Sequence, residues 1–169
     1  MNKFIQENRT LLLLLFLILV VVLIIVFKPK DKDGKDSYDV SKVKIITIDE
    51  AISLYGDIEP HIYIVCRDTC SNCQTFMPAV NKIIDKYHID VYYIDLLKID
   101  RTTPQYEIFK SLLNFQYEYE NQKGTMDKFI GYTPMILISS NNDTIYGSLG
   151  SMTEDSFEVI LKEYSIIKE

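Results

Sequence analysis

The 169-residue sequence is poor in the residues that build fibrous, disordered or disulfide-stapled chains, with 6 glycines, 5 prolines and 3 cysteines. This content excludes a collagen-like or low-complexity chain, and three cysteines cannot staple a miniprotein. Basic residues are scarce after residue 35, where 12 Lys and Arg stand against 21 Asp and Glu. Because this acidic part also lacks a basic stripe interleaved with aromatic residues, we expect no nucleic-acid partner.

The longest apolar run of the chain lies near its N-terminus. Leu11 to Phe27 is an unbroken stretch of apolar residues, and as a helix Thr10 to Phe27 would span about 27 Å, close to the roughly 30 Å hydrocarbon core of a bilayer. The run passes directly into Lys28 without a small-residue cleavage site, which favours a retained signal anchor over a cleaved signal peptide. The predicted organisation is therefore a tail at 1–9, a transmembrane signal anchor at 10–27, a juxtamembrane linker at 28–37 and one domain at 38–169.

The charges beside the anchor give two opposite indications of its orientation. Four lysines follow the run within residues 28–35, against Lys3 and Arg9 before it, and this count favours a cytoplasmic domain. A nine-residue N-terminal tail, however, often remains cytoplasmic, and acidic residues among the four lysines weigh little in the rule. We expect a single-pass protein of the cell membrane with its domain on the extracytoplasmic side.

Hydrophobic periodicity in the domain predicts alternating strands and helices in the order β-α-β-α-β-α-β-β-α, a mixed central sheet with helices on both faces. The predicted elements include a buried strand at His61–Cys66, a helix at Cys70–Tyr87 bent by Pro78, a helix from about Thr103 to about Glu118, and a hairpin of Pro134–Ser139 with Thr144–Ser148. The fold class is therefore α/β.

Two of the three cysteines form the motif Cys70-Ser71-Asn72-Cys73, where a strand gives way to a helix. Unpaired amide groups at a helix N-terminus favour a thiolate at Cys70, which would make Cys70 a nucleophile and a good leaving group. Cys73, one turn into the helix, could resolve a mixed disulfide. The same spacing also occurs in structural disulfides and in half of a zinc site.

A second signal lies about 60 residues beyond the pair, where Tyr132-Thr133-Pro134 precedes a strand. A proline at such a strand entrance is often cis. With the Cys-X-X-Cys turn, Pro78 and the closing hairpin and helix, the chain from about Val43 onward resembles the thioredoxin-like superfamily.

The resemblance implies a thioredoxin-like fold in which Cys70 attacks, Cys73 resolves, and Thr133 and Pro134 shape the substrate groove. It also implies a redox-active Cys70–Cys73 disulfide and no other cofactor. The single anchor is similar to that of bacterial membrane-tethered thiol-disulfide oxidoreductases and, more weakly, to thioredoxin-like proteins that accompany bacteriocin export. The implied partners are cysteine-containing protein substrates, a redox partner and the membrane.

The sequence departs from the family pattern at several positions. Ser71-Asn72 stands in place of the Gly-Pro of reducing thioredoxins and of the Pro-His of strong oxidants, so the redox direction stays open. Ile64 occupies the place of the buried acid that helps to deprotonate the resolving cysteine, with Asp68 and Asp95 as candidates for partial compensation. Thr69 replaces the aromatic residue that commonly precedes the first cysteine.

Cys66 leaves two interpretations open, a buried small apolar residue and a third redox thiol. Together with the motif it could also supply three thiolates for copper or zinc, so a thioredoxin-fold binding module or metal carrier without redox turnover is the alternative function. The two histidines, His61 and His88, fall at element ends and favour ordinary surface positions. Tyr117 and Tyr119 could form a peptide-binding lip or be half-buried core residues.

Overall fold

Seven strands and four helices make up residues 38–168, which a computed structural model describes together with residues 17–20. The elements are β1 (Lys44–Ile45), α1 (Ile48–Tyr55), β2 (His61–Cys66), α2 (Ser71–Tyr87), β3 (Val91–Asp95), α3 (Pro104–Leu112), β4 (Gln116–Tyr119), β5 (Gln122–Thr125), β6 (Met135–Ser140), β7 (Asp143–Leu149) and α4 (Glu154–Glu163). Two 3-10 turns, Leu96–Lys98 and Met126–Phe129, connect neighbouring elements.

The predicted membrane anchor lies largely outside the described residues. Of the anchor at 10–27, the structure describes residues 17–20, which are helical, and the tail at 1–9 and the linker at 28–37 are not described. Within residues 17–20 and 38–168, no helix combines the length and the apolarity needed to cross a membrane.

The central sheet is mixed and has the strand order β1-β3-β2-β6-β7. β2 lies at its centre, parallel to β3 on one side and antiparallel to β6 on the other. This position explains the apolar sequence His-Ile-Tyr-Ile-Val-Cys, because a central strand covered on both faces can carry no solvent-facing side chains. All of its residues after His61 are buried.

Helices cover both faces of the sheet and divide the core in two. On one face, alternate β2 residues Ile62, Ile64 and Cys66 pack with α2 and α4. On the other face, Tyr63 and Val65 pack with α1 and α3. The two-residue alternation of a strand thus sends Cys66 to the α2 side of the sheet.

Short polar side chains set the N-terminal ends of the helices. Thr47, Thr103 and Thr153 cap α1, α3 and α4, each accepting a hydrogen bond from a backbone N–H three residues later. α1 begins at Ile48, directly after its cap, and Thr47 and Glu50 form a reciprocal capping box there.

The predicted helix from Thr103 to about Glu118 is wrong in its second half. α3 ends at Leu112, and residues 116–125 form a separate two-stranded sheet of β4 and β5. The turn of this hairpin has positive φ at Glu120 and Asn121, 47° and 66°. Phe115, Tyr117 and Tyr119 alternate with exposed residues, so the two-residue period of a strand prevails over the helical interpretation.

Candidate functional site

The first turn of α2 holds the Cys-X-X-Cys motif as the sequence predicted. Cys70 is the N-cap of the helix, with extended backbone angles, and its Sγ accepts a hydrogen bond of 3.3 Å from the backbone N–H of Cys73. A sulfur at this position faces the N–H groups that have no partner within the helix. The Cys70 side chain is 8% exposed and Cys73 is fully buried, so only Cys70 can be reached from outside.

The Thr133–Pro134 step lies against Cys70, as the resemblance implied. The peptide bond between the two residues is cis, and the Cys70 thiol donates to the Thr133 carbonyl oxygen at 3.2 Å. The backbone N–H of Gly150, at the end of β7, donates to the Pro134 carbonyl oxygen at 2.9 Å. The step is therefore tied to the sheet on one side and contacts Cys70 on the other.

The disulfide in this structure joins Cys66 to Cys73 and leaves the Cys70 thiol free. The sequence predicted a Cys70–Cys73 disulfide, and that pairing is not the one formed here. Cys66 ends β2 on the face covered by α2, and its Cα lies 6.2 Å from that of Cys73, within the usual range for a disulfide. Cys66 is therefore more than a buried apolar residue, although the roles of the three sulfurs in catalysis stay predictions.

A groove of about 330 Å³ opens beside Cys70. It is lined by Thr133, by Asn72 from the motif, and by Arg67, Tyr119 and Tyr132. Tyr119 belongs to β4, and its ring meets the ring of Tyr132 edge-on with centroids 5.5 Å apart. Of the two tyrosines suggested as a lip, Tyr119 of the β4–β5 hairpin lines this groove, whereas Tyr117 packs edge-on against Phe129.

Sequence reasoning gave no role to Arg67, which directly follows β2 and is exposed in the groove. Its position between a buried strand and the motif was the available signal, because residues just beyond the carboxyl end of a central strand commonly meet ligands. A second cavity, of about 400 Å³, lies between the start of α1 and the ends of β1 and β3. Of the candidate residues named from the sequence, it is lined by Asp95 and not by the cysteines, Thr133 or Pro134.

The resemblance implies a buried acid at the position of Ile64, and this position has no acidic side chain. Ile64 is fully buried and lies beside Tyr93 of β3. The Tyr93 hydroxyl is hydrogen-bonded to the Tyr38 hydroxyl at 2.6 Å. Burial raises the pKa of both tyrosines above the ordinary value, so both phenols stay protonated at neutral pH and neither can accept a proton there.

Asp95 is one of the two carboxylates proposed from the sequence. In the parallel register of β2 and β3, Asp95 is the partner of Cys66. Asp95 lies two residues after Tyr93 on β3, so the two side chains point to the same face of the sheet, the face that also carries Cys66. One carboxylate oxygen of Asp95 accepts a hydrogen bond of 3.0 Å from the Leu97 N–H. Asp68 lies in the loop between Arg67 and Cys70 and is half-buried.

The side chains considered as metal ligands from the sequence are the three cysteines and the two histidines. Within the described part of the chain, no three His, Cys, Asp or Glu side chains are grouped to hold a metal ion. Two of the three candidate sulfurs are bonded to each other. His61 pairs with Asp57 at 2.8 Å, and His88 is the C-cap of α2, so both histidines have structural positions at element ends.

Comparisons with known proteins find similarity in structure and none in sequence. No protein-family model matches the chain, and no curated protein does. A chain from a study of the thiol resolving mechanism in yeast mitochondrial 1-Cys peroxiredoxin via glutathione/thioredoxin systems superposes with a TM-score of 0.52 at 14% identity, over 75% of this chain and 98% of that one.

Two thioredoxins superpose equally well. The Plasmodium falciparum thioredoxin has a TM-score of 0.51 at 15% identity, covering 72% of this chain and 99% of its own. The oxidised mitochondrial thioredoxin 3 of Saccharomyces cerevisiae has a TM-score of 0.51 at 13% identity, covering 73% and 96%. At these identities the likeness concerns the fold alone. The described domain therefore has a thioredoxin-like fold.

Proposed function

We propose that this chain is a thiol-disulfide oxidoreductase that exchanges disulfides with cysteine-containing protein substrates through Cys70. The observation that carries the proposal is the position of the Cys70 sulfur. It caps α2, it contacts the Thr133 carbonyl oxygen before a cis proline, and it lies beside a groove and a disulfide. A thioredoxin-like fold supports the same interpretation.

The burial of the three cysteines supports one order of events in the proposed reaction. Because Cys73 and Cys66 are fully buried and Cys70 is 8% exposed, a substrate sulfur meets Cys70 first. In the reducing direction the Cys70 thiolate attacks the substrate disulfide, a mixed disulfide forms on Cys70, and one substrate thiolate leaves. The Cys73 thiolate then attacks Cys70, which releases the second substrate thiolate and leaves the protein oxidised.

The direction of exchange depends on the redox partner. Reduction of substrates requires a partner that returns two electrons to the protein disulfide, and oxidation of substrates requires one that removes them. Thr133 and Pro134 would shape the groove next to Cys70, and Arg67 and Tyr119 would contact the substrate chain beyond it. The chemistry needs no cofactor besides the cysteines.

The proposal includes the membrane anchor at residues 10–27 and an extracytoplasmic domain, on the strength of the apolar run in the sequence. Its topology can be tested in a cysteine-free background that carries either Asn2→Cys or Ser37→Cys. An impermeant maleimide applied to intact cells should label the Ser37→Cys protein and label the Asn2→Cys protein only after lysis. The reverse pattern would place the domain in the cytoplasm.

Trapping tests the exchange reaction itself. Full-length Cys73→Ala, produced in its native cells, should accumulate mixed disulfides that run as reductant-sensitive adducts on non-reducing gels, because its resolving thiol is missing. The matched control, Cys70→Ser combined with Cys73→Ala, should give none. Adducts that persist in this control, or one metal ion bound per wild-type chain with no adducts at all, would contradict the proposal.

A further inference from the structure

The three cysteines of this chain are placed so that one of them, Cys73, has two possible disulfide partners. Cys70 lies one helical turn before it, and the Cys70 sulfur already accepts a hydrogen bond from the Cys73 N–H at 3.3 Å. Cys66 approaches from the end of β2 and is bonded to Cys73 in this structure. Both partners therefore reach Cys73 from fixed elements, a strand end and a helix turn.

Burial limits what Cys66 can do. It is fully inaccessible, packed between β2 and α2, so no substrate sulfur can meet it directly. A purely structural disulfide at this place would consume Cys73, the one residue that can resolve a mixed disulfide on Cys70. The exchange reaction and the observed disulfide are compatible only if Cys73 can change partners.

On the basis of the proposed function, we propose that Cys66 is an internal redox thiol that exchanges with Cys70 for the bond to Cys73. The Cys70 thiolate attacks the Cys73 sulfur, the Cys70–Cys73 bond forms, the Cys66–Cys73 bond breaks, and Cys66 leaves as a thiolate. One proton passes in net from Cys70 to Cys66. The number of disulfides is unchanged, so this step needs no external oxidant or reductant.

The exchange gives the oxidised protein two forms with different properties. With Cys66 bonded to Cys73, the protein stores its disulfide out of contact with solvent and keeps a nucleophilic thiol at the groove. With Cys70 bonded to Cys73, it presents the disulfide to substrate thiols. The same chain can therefore offer either a thiol or a disulfide at Cys70 without a change in its overall oxidation state.

Arg67 makes the two forms distinguishable by peptide mapping. Trypsin cleaves after Arg67, so Cys66 falls in the peptide Ile45–Arg67, whereas Cys70 and Cys73 share the peptide Asp68–Lys82. The Cys66–Cys73 form links two peptides, and the Cys70–Cys73 form closes a loop within one. The purified full-length protein would be oxidised to one disulfide per chain, alkylated rapidly and digested for mass spectrometry.

The wild-type digest should contain both forms, the linked peptide pair with alkylated Cys70 and the looped peptide with alkylated Cys66. In Cys66→Ala oxidised to the same level, only the loop should remain, and alkylation of Cys70 should fall to background. Val65→Ala, a neighbouring truncation on the opposite face of β2, keeps all three thiols and should retain both forms. Absence of the linked pair from wild type, or absence of the loop from wild type and from Cys66→Ala alike, would overturn the proposal.

A separate measurement tests the proposed oxidoreductase function independently of the role of Cys66. The same proteins are assayed for exchange with a disulfide-bonded peptide, and Cys70→Ser should reduce the rate to that of buffer. If Cys70→Ser retains the wild-type rate, the proposed oxidoreductase function is wrong, whatever the peptide map shows. If exchange depends on Cys70 but the linked pair never forms, the function stands and the role of Cys66 is wrong.

Discussion

The two walls of the groove are built in different ways. The cysteine wall comes from a short contiguous stretch, residues 66–73, which supplies Arg67 and Asn72 to the lining of the groove and holds all three cysteines. The aromatic wall is assembled from two separate segments, Tyr119 from a surface hairpin and Tyr132 from the loop before β6. The first wall belongs to the main core, and the second lies at its edge.

This difference separates two tasks of the site. Chemistry at Cys70 requires sulfurs held within bond-forming reach of each other, which a central strand and a packed helix provide. Recognition of a substrate chain requires a surface that can vary, and a hairpin attached outside the central sheet provides this. We therefore expect substitutions in the cysteine wall to affect stability and reactivity, and substitutions in the aromatic wall to affect substrate binding.

The largest expected effect on stability is that of Phe76→Ala, in the core cluster that also contains the three cysteines of the cysteine wall. Phe76 is fully buried on α2 and meets Phe157 of α4 edge-on, with ring centroids 5.3 Å apart. Its truncation should lower the free energy of unfolding by about 3–5 kcal/mol, measured by urea denaturation of the reduced protein. The comparison variant Tyr119→Ala should cost less than about 1.5 kcal/mol. Equal losses would contradict a division into a core wall and a peripheral wall.

The second prediction concerns substrate binding at the aromatic wall. Tyr119→Ala should raise KM for a disulfide-bonded peptide about fivefold, which corresponds to the loss of about 1 kcal/mol of aromatic contact. Because Cys70 is not altered, the rate with a small disulfide such as cystine should stay at its wild-type value. Tyr119→Phe, which keeps the ring, is the matched control and should retain the wild-type KM. An equal loss with peptide and with cystine would contradict a role in binding.

The sequence predicted correctly those features that depend on residues close together in the chain. The buried run His61–Cys66 was predicted with its observed bounds, and the start of α2 at the cysteine motif was predicted to within one residue. The Thr133–Pro134 step was also expected, because a proline that opens a strand after a Cys-X-X-Cys turn is a specific combination. The bounds of β2 and the start of α2 depend on residues close in the chain, and the Thr133–Pro134 step depends on its combination with the Cys-X-X-Cys turn.

The features that the sequence did not reveal depend on long-range packing. Phe115, Tyr117 and Tyr119 follow a helix without a glycine or proline between, so the end of α3 at Leu112 had no strong local mark. The pairing of Cys66 with Cys73 depends on which face of β2 meets α2, whereas the family resemblance implied Cys70 as the partner of Cys73. Arg67 shares the groove with Tyr119 of the hairpin, which the sequence analysis had taken for part of a helix.

The smallest predicted effect is electrostatic and compares an ion pair between α2 and α4 with one on the hairpin. Glu158 of α4 accepts from Lys86 of α2 at 2.7 Å and from Lys162 at 2.9 Å, and the hydrogen bond from Lys86 is the main cause that lowers the pKa of Glu158 to about 2. A carboxylate with a lowered folded-state pKa stabilises the fold above its ordinary value near 4.5 and loses this contribution as the pH falls towards 2.

Glu158→Gln should therefore lower Tm by at most about 3 °C at pH 7, and the difference from wild type should disappear between about pH 4.5 and pH 2. The matched control is Glu118→Gln, which removes the 3.1 Å pair with Lys123 on the hairpin, where both side chains are mostly exposed. This control should leave Tm close to the wild-type value at every pH, because exposed pairs on a two-stranded sheet contribute little. A Tm difference for Glu158→Gln that is the same at pH 7 and pH 2 would show that the link between α2 and α4 depends on packing and not on this charge.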